Sequence, residues 1–595
     1  MPAFAERMAI VLVLLAVPVA ICFTPAVYLS YLAPEDDPPK ILPRPLSQKL
    51  PDPVEQVLQA WREPEPGLVL AFSGQMYGYL QPCGCARPQV GGLERRYQLL
   101  QRLRQSGWPV VGFDLGDLAR LRYEVKQGVL ALPEQARLKY ETAWKMLKEC
   151  GWQVVGIGPE EIRFPLEDVF GWALNDRPPV LVCSNLDWPD WRDIGAYRQW
   201  HVNEVPLADQ NTSSNPTRLP TKTNPSSLED AASNSRSASS RWRIVCLAVI
   251  NESVVAELKR ELPQDAEIFK RLQPAEQALV RLWPEVTKCQ PNLVVLLHHG
   301  TDSEARALAE RFGGIDIVLS RDTADVASSI AVSLPPSQNA TFSRTPAINN
   351  RLLVRVGHKG KAIGLVGVRP VKTSAESSSR EASHSSAPFA YRLDYRMVEL
   401  TEPLELPPDQ TNPVREVMRE YVYQVYARDL LRRWAEHLQV THPQQLNQPG
   451  AVFVGTERCA ECHRNACRIW SQSKHSQAYV ALVRYGEPKT TDQRSGKMVG
   501  RQYDPECVIC HTTGFEYKSG FRNEQETPHL LANGCENCHG PASLHVQFPR
   551  DSKYWQPLRR IAGNFVNACR SCHDSENDPH FDFSKYWPQI IHKKD

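Results

Sequence analysis

The chain has almost no net charge: Lys and Arg number 69, Asp and Glu 67, giving +2. That balance supplies no electrostatic reason to bind nucleic acid or an anionic membrane surface, and no nucleic-acid partner is expected. A dense disulfide framework is also missing. Of 16 cysteines, Cys22, Cys83, Cys85, Cys150, Cys183, Cys246, Cys289 and Cys467 are scattered, unlike those of a small secreted scaffold. Two stretches, 209–240 and 373–388, have too little apolar content to bury themselves and are expected to be exposed, mobile inserts. At 595 residues the chain should hold more than one domain.

The eight other cysteines stand in four Cys-x-x-Cys-His motifs: Cys459, Cys462 and His463; Cys507, Cys510 and His511; Cys535, Cys538 and His539; Cys569, Cys572 and His573. Two thiols three positions apart can each add to one vinyl group of the same haem. The His that follows then supplies the proximal ligand of the iron. Two zinc ribbons are the competing reading, but a ribbon does not need a His after every pair. The sequence therefore predicts four covalent haem c groups. Nine of the 16 histidines lie in this last quarter. Five are free to be distal ligands: His475, His529, His545, His580 and His592. A second His makes iron six-coordinate and low-spin; an empty position lets it bind a small ligand.

Three stretches carry a resemblance: Val454-Gly-Thr-Glu-Arg-Cys-Ala-Glu-Cys-His463 with Trp470-Ser-Gln-Ser-Lys-His475; Gly534-Cys-Glu-Asn-Cys-His-Gly-Pro-Ala-Ser-Leu-His545; and Phe581-Asp-Phe-Ser-Lys-Tyr-Trp-Pro-Gln-Ile-Ile-His592. They resemble the tetrahaem cytochrome c554 family. The resemblance implies distal roles for His475, His545 and His592 and a five-coordinate second haem, leaving His529 and His580 over.

The N-terminal part reads in order. Residues 8–32 carry no charge and are long enough to span a bilayer. An uncleaved anchor is expected at 1–32; a cleaved signal peptide is the rival. Arg7 precedes the segment and Glu35, Asp36 and Asp37 follow it, which puts the bulk of the chain outside the cytoplasm, on the periplasmic side. Residues 33–66 read as a Pro-rich tether, stiffest over 33–54, where seven prolines fall. From 67 to 411, short apolar runs alternate with helical stretches, as in an α/β layered domain. Residues 351–368 read as a hairpin. Asn412-Pro413 opens a long helix with Val414, Met418, Tyr421, Val425 and Leu431 on its apolar stripe, and 441–450 is a linker. The tetrahaem cytochrome domain follows at 451–595.

The order of elements over 67–370 resembles the calcineurin-like metallophosphoesterases of the 5′-nucleotidase branch. Phe113-Asp-Leu-Gly-Asp117 and Val295-Leu-Leu-His-His-Gly300 carry the likeness. It implies that Asp117, Asn185 and His299 are residual metal positions. Other ligand positions are lost: they read Gln75-Met-Tyr77, Pro159-Glu160 and Ser320-Arg321-Asp322-Thr323. A two-metal cage needs more donors than survive, and Arg321 would repel a cation. Cys83 and Cys85 sit in a loop at a strand end; without the haem spacing they exclude a fifth covalent haem.

The fold class expected is thus multidomain: an α/β layered, metallophosphoesterase-like domain, a mostly helical multihaem cytochrome c domain, and one transmembrane helix. The function expected is electron transfer between redox partner proteins, or from a quinol-oxidising membrane complex, with the α/β domain as scaffold or docking module. Two enzymatic alternatives stand beside it. One is oxidoreduction of a small nitrogen or sulfur compound at a five-coordinate haem. The other is phosphoester hydrolysis at a rebuilt metal site.

Overall fold

The computed structural model describes residues 50–82, 89–121, 123–125, 128–130, 133–175, 177–206, 241–263, 266–322, 330–335, 350–371, 391–407, 410–559, 562–574, 577–578 and 580–592. The apolar segment 8–32, residues 33–49 of the tether, both inserts, and Cys83 with Cys85 lie outside the described residues. Among the described residues no helix is long and apolar enough to cross a membrane. They form two compact units, one reaching Val417 and one starting at Met418.

The first unit is built on fourteen strands: β1 Leu68–Ser73, β2 Val110–Asp114, β3 Tyr123–Val125, β4 Gly128–Leu130, β5 Trp152–Gly156, β6 Val180–Val182, β7 Trp200–Pro206, β8 Arg241–Ile250, β9 Leu293–His299, β10 Ile317–Ser320, β11 Val332–Leu334, β12 Arg351–Val354, β13 Ala362–Pro370 and β14 Tyr391–Glu399. One six-stranded sheet has the order β14-β13-β1-β2-β5-β6 and the other β11-β12-β10-β9-β8-β7. The first is parallel from β1 to β6 with β13 and β14 antiparallel at one side, and the second is parallel from β12 to β8 with β11 and β7 antiparallel at its two edges. Alternate residues explain the layering. Leu68, Leu70 and Phe72 pack with Ile244, Cys246, Val295 and Leu297 in one cluster that draws on both sheets. The intervening Val245, Leu247, Val294 and Leu296 meet Leu279, Trp283 and Leu308 on the covering helices. Strands buried on both faces need continuous apolar runs, which is how they were legible.

Three expectations need correction. Residues 351–368 are not a hairpin: β12 lies parallel to β10 in one sheet, while β13 pairs antiparallel with β1 in the other. Alternation and turn residues say that a chain reverses, not which sheet each half joins. The tether's end is not extended. A helix, Pro53–Ala60, is capped by Asp52 and buries Val54 and Val57. Trp61 beyond it is fully buried, its Nε1 donating to Asp394 at 3.1 Å. The helix opened by Asn412, whose Oδ1 accepts from Val414 N at 3.0 Å, runs only Pro413–Ala427. Asp429 then takes φ +53°, so Leu431 belongs to the next helix, Leu430–Leu438.

The second unit is made of short helices and turns, with buried apolar side chains such as Val508, Phe515, Phe521, Leu530 and Leu531. Its expected linker is folded. A helix Pro443–Asn447 and the Gln448 that follows it are anchored by three glutamine side chains: Gln444 donates to Pro541 O at 2.9 Å, Gln445 to Ala451 O at 2.7 Å, and Gln448 to Lys553 O at 2.6 Å.

Candidate functional site

Each Cys-x-x-Cys-His motif occupies one helical turn. The second and third lie within Pro505–His511 and Cys535–His539. In the first and fourth, His463 N and His573 N donate to the carbonyls of Cys459 and Cys569 at 2.9 and 2.8 Å. Positions i, i+3 and i+4 share a helix face, so both sulfurs and the imidazole serve one group. None of the eight motif cysteines forms a disulfide.

Three imidazole pairs face each other. His463 and His545 have ring centroids 6.1 Å apart, His475 and His573 6.1 Å, and His539 and His592 5.9 Å. An iron bridging two imidazoles needs a centroid separation of roughly 6 Å: about 2 Å of metal–nitrogen bond on each side plus about 1 Å to each ring centre. Direct imidazole stacking needs no such gap. The other ring nitrogen is held as a metal-ligating histidine requires. Nδ1 meets Ala478 O at 2.6 Å in His511, Leu558 O at 2.8 Å in His539, and the Asp578 carboxylate at 2.8 Å in His573. A donating Nδ1 leaves Nε2 with its lone pair free for iron. In His545, Nδ1 is buried without a partner. Burial lowers the pKa of His475, His511 and His545, which favours the neutral, ligating form. These residues fit covalently bound haem.

His511 makes no ring contact with another imidazole among the described residues. His529 and His580 are exposed and do not face a proximal imidazole. Sequence reasoning missed two polar tie-points. Asn533 takes Trp470 Nε1 on its carbonyl at 2.9 Å, donates its own N to His475 O at 3.2 Å, and gives Nδ2 to Cys510 O at 3.1 Å. Glu536, between the cysteines of the third motif, is 2 % exposed and accepts from the backbone of other segments. The only signal for it was a carboxylate where thioether chemistry asks for nothing.

In the α/β unit, the loops after β1, β2, β5, β9 and β10 meet at the carboxyl ends of the parallel strands. Asp117 Oδ2 lies 3.9 Å from His299 Nδ1, so these two expected positions do come together. Asn185 serves otherwise. Its Nδ2 donates to Ile250 O at 2.8 Å and Gln273 O at 2.9 Å, and its Oδ1 accepts from Ile250 N at 3.0 Å. Protein groups fill the surrounding positions. Gln75 holds Asp322 by both of its backbone groups, at 2.6 and 3.0 Å, and donates to Tyr77 Oη at 2.7 Å. Arg120 stacks on Tyr77 at 3.7 Å. Arg120 and Arg163 pair with Glu160 at 3.5 and 3.4 Å, and Arg321 pairs with Glu257 at 3.3 Å. Burial raises Asp117 to about 6, against the pull of the Glu160 N–H and the three arginines. Burial lowers His298 to about 3 and His299 to about 4. Among the described residues no cluster of three or more His, Cys, Asp or Glu could hold a metal. A dinuclear cation centre does not fit guanidiniums at this density.

Residues 458–540 match the family model for cytochrome c554 and c-prime. The match takes in the first three motifs and ends before the fourth. Cytochrome c-554 of Nitrosomonas europaea is 34% identical over 93 residues, 15% of this chain and 39% of that protein, so the chain spans well under half of this curated relative. Residues 458–540 thus carry a cytochrome c554 family-model domain. The α/β part is similar to the 5′-nucleotidase precursor of Thermus thermophilus, with TM-score 0.40, 14% identity, 60% of this chain and 59% of that one. It is also similar to the calcineurin-like phosphoesterase YfkN of Bacillus subtilis, with TM-score 0.38, 14% identity, and 61% and 98% coverage. These likenesses carry no chemistry to this chain.

Proposed function

We propose that the protein is an extracytoplasmic electron carrier, tethered to the membrane by residues 8–32, with four haem c groups on its four motifs. The observation that carries this reading is the set of three imidazole pairs at about 6 Å. Bound haem would supply reversible one-electron chemistry. The chain's own residues do the rest. Cys459, Cys462, Cys507, Cys510, Cys535, Cys538, Cys569 and Cys572 attach the groups. His463, His511, His539 and His573 are the proximal ligands, and His545, His592 and His475 face the first, third and fourth of these. Pyridine haemochrome analysis of the full chain is expected to give four covalent haems; two or fewer ends this reading. Fractionation should place the chain with membranes, and protease added outside intact spheroplasts should degrade its bulk.

Asp578 should make the fourth site differ from the others. A carboxylate on Nδ1 makes the imidazole a stronger donor than a carbonyl does. Losing such a partner weakens metal binding about 10–100-fold, and a tenfold change in a one-electron equilibrium is about 59 mV. In so far as that loss falls on the ferric state, which the stronger donor favours, Asp578→Asn should raise one reduction potential, by at most about 60–120 mV, and leave the others in place, as read by spectropotentiometry.

A second reading rests on His511. No imidazole faces it among the described residues, so the second iron would have room for nitric oxide, nitrite or hydroxylamine. A high-spin EPR signal that shifts on adding one of these, followed by turnover, would establish catalysis. An all-low-spin spectrum would remove it.

The α/β unit we assign to positioning the carrier against its redox partner, a protein or a quinol-oxidising complex. If a fragment starting at Met418 exchanges electrons with that partner as fast as the whole chain does, this role is wrong. Phosphoester hydrolysis is not expected. With Mn²⁺ or Zn²⁺ and a general phosphoester, turnover abolished by Asp117→Asn or His299→Ala would reverse that conclusion.

A further inference from the structure

We propose that Glu536 is a positioning residue that sets both axial histidines of the first haem. The inference rests on the haem-binding reading above, and it concerns a residue that touches neither iron nor thioether in that reading. The carboxylate gathers three backbone donors, two from the distant segment 454–455 and one from Ala542, six residues on. Oε2 accepts from Gly455 N at 2.8 Å and Val454 N at 3.0 Å. Oε1 accepts from Ala542 N at 2.9 Å and shares Val454 N at 3.0 Å.

Those donors stand where the two ligand-bearing segments begin. Val454 and Gly455 lead into the helix Thr456–Ala460, whose turn ends at Cys459 and His463. Ala542 is the N-cap of the helix Ser543–Gln547, which carries His545. The imidazoles of His463 and His545 are the pair at 6.1 Å. Glu536 itself is fixed within the helical turn of the third motif. One side chain therefore ties the third attachment site to both ligands of the first.

The choice of residue follows from donor and acceptor counting. A buried carboxylate is costly unless each oxygen is satisfied, and charge-assisted bonds to backbone N–H are among the strongest available. Both carboxylate oxygens accept. Glutamine has one accepting oxygen and an NH₂ that would confront an N–H. Packing alone would be served as well by an apolar residue. The leader segment has little freedom to re-seat itself. Gly455 takes φ +86°, and a Cβ there would lie 2.5 Å from His529 O. A lost bond would therefore be taken up by movement of the helices that bear the histidines.

The test compares the full chain with Glu536→Gln, Glu536→Asp and His545→Ala. Wild-type haem count and low-spin content test the haem reading; only the Glu536 variants test this inference. His545→Ala identifies the EPR signal of the first haem as the one that is lost. Glu536→Gln is expected to keep four covalent haems, to shift or broaden that same signal, and to raise carbon monoxide uptake toward one further equivalent. The other low-spin signals should stay put. Glu536→Asp keeps the charge with a shorter reach and should change the same signal less. An EPR spectrum of Glu536→Gln identical to wild type would overturn the proposal, as would equal changes in every centre. If Glu536→Gln fails to accumulate, Glu536→Asp decides. A change confined to the first signal supports the role; an unchanged spectrum, or haem lost evenly from all motifs, overturns it.

Discussion

Replacing His475 with alanine is expected to remove one of three low-spin bis-imidazole signals and to create a second high-spin centre. His475 faces His573 with centroids 6.1 Å apart, and burial lowers its pKa, so the ring is a neutral donor at neutral pH. Its backbone is held independently of the ring, by Asn533 N on its carbonyl at 3.2 Å. Truncation should therefore open an axial position without dismantling the segment. Cys569 and Cys572 are untouched, so covalent haem content should stay at four. The checks are EPR at liquid-helium temperature and carbon monoxide binding to the reduced protein. A low-spin signal undiminished in His475→Ala would assign the ligand elsewhere, with His529 and His580 as the residues to examine next.

Asn185→Ala is expected to be the most destabilising single change in the α/β unit outside its apolar core. The amide is fully buried, and three of its bonds bind the loop after β6 to the end of β8 and to Gln273. Alanine leaves Ile250 N, Ile250 O and Gln273 O without that partner. Each stranded buried group costs about 1–3 kcal/mol. Relaxation and entering water recover part of this, so a net loss of about 3–5 kcal/mol is expected, a large share of the ~5–15 kcal/mol by which domains are stable. Denaturant unfolding followed by far-UV circular dichroism measures it. Asn185→Asp keeps the acceptor for Ile250 N and loses both donors, so it should also be strongly destabilised. A metal ligand would give another outcome: near-normal stability without added metal, and a loss only of metal-induced stabilisation. That result would return Asn185 to the residual metal positions.

Glu161 shows that the carboxylate device is not peculiar to the cytochrome unit. It is buried and accepts from Asp117 N and Gly158 N at 2.8 Å and Leu118 N at 2.9 Å, joining the loops after β2 and β5. In both units a single acid, inconspicuous in sequence, gathers backbone donors from segments far apart in the chain.

Local sequence was enough to mark the four Cys-x-x-Cys-His motifs as candidate haem attachment points, because such a motif acts within one helical turn and its chemistry is complete there. It also settled most of the strands of the α/β unit, because burial on both faces leaves continuous apolar runs such as Leu293–His299. The start of the helix at Asn412-Pro413 was legible too, since a cap is a matter of neighbouring residues. Which imidazole faces which was settled by the fold alone: His475 lies about a hundred positions from His573, and no local rule spans that distance. The separation of β12 and β13 into different sheets, the packing of Trp61 and the folding of 443–450 arose the same way. The bonds that fix them come from residues distant in sequence, Asp394, Pro541 and Lys553 among them. Asp117 was the stronger candidate in one dimension and Asn185 a possible one. Folding separates them, giving one amide to the backbone and leaving the other residue's carboxylate beside His299.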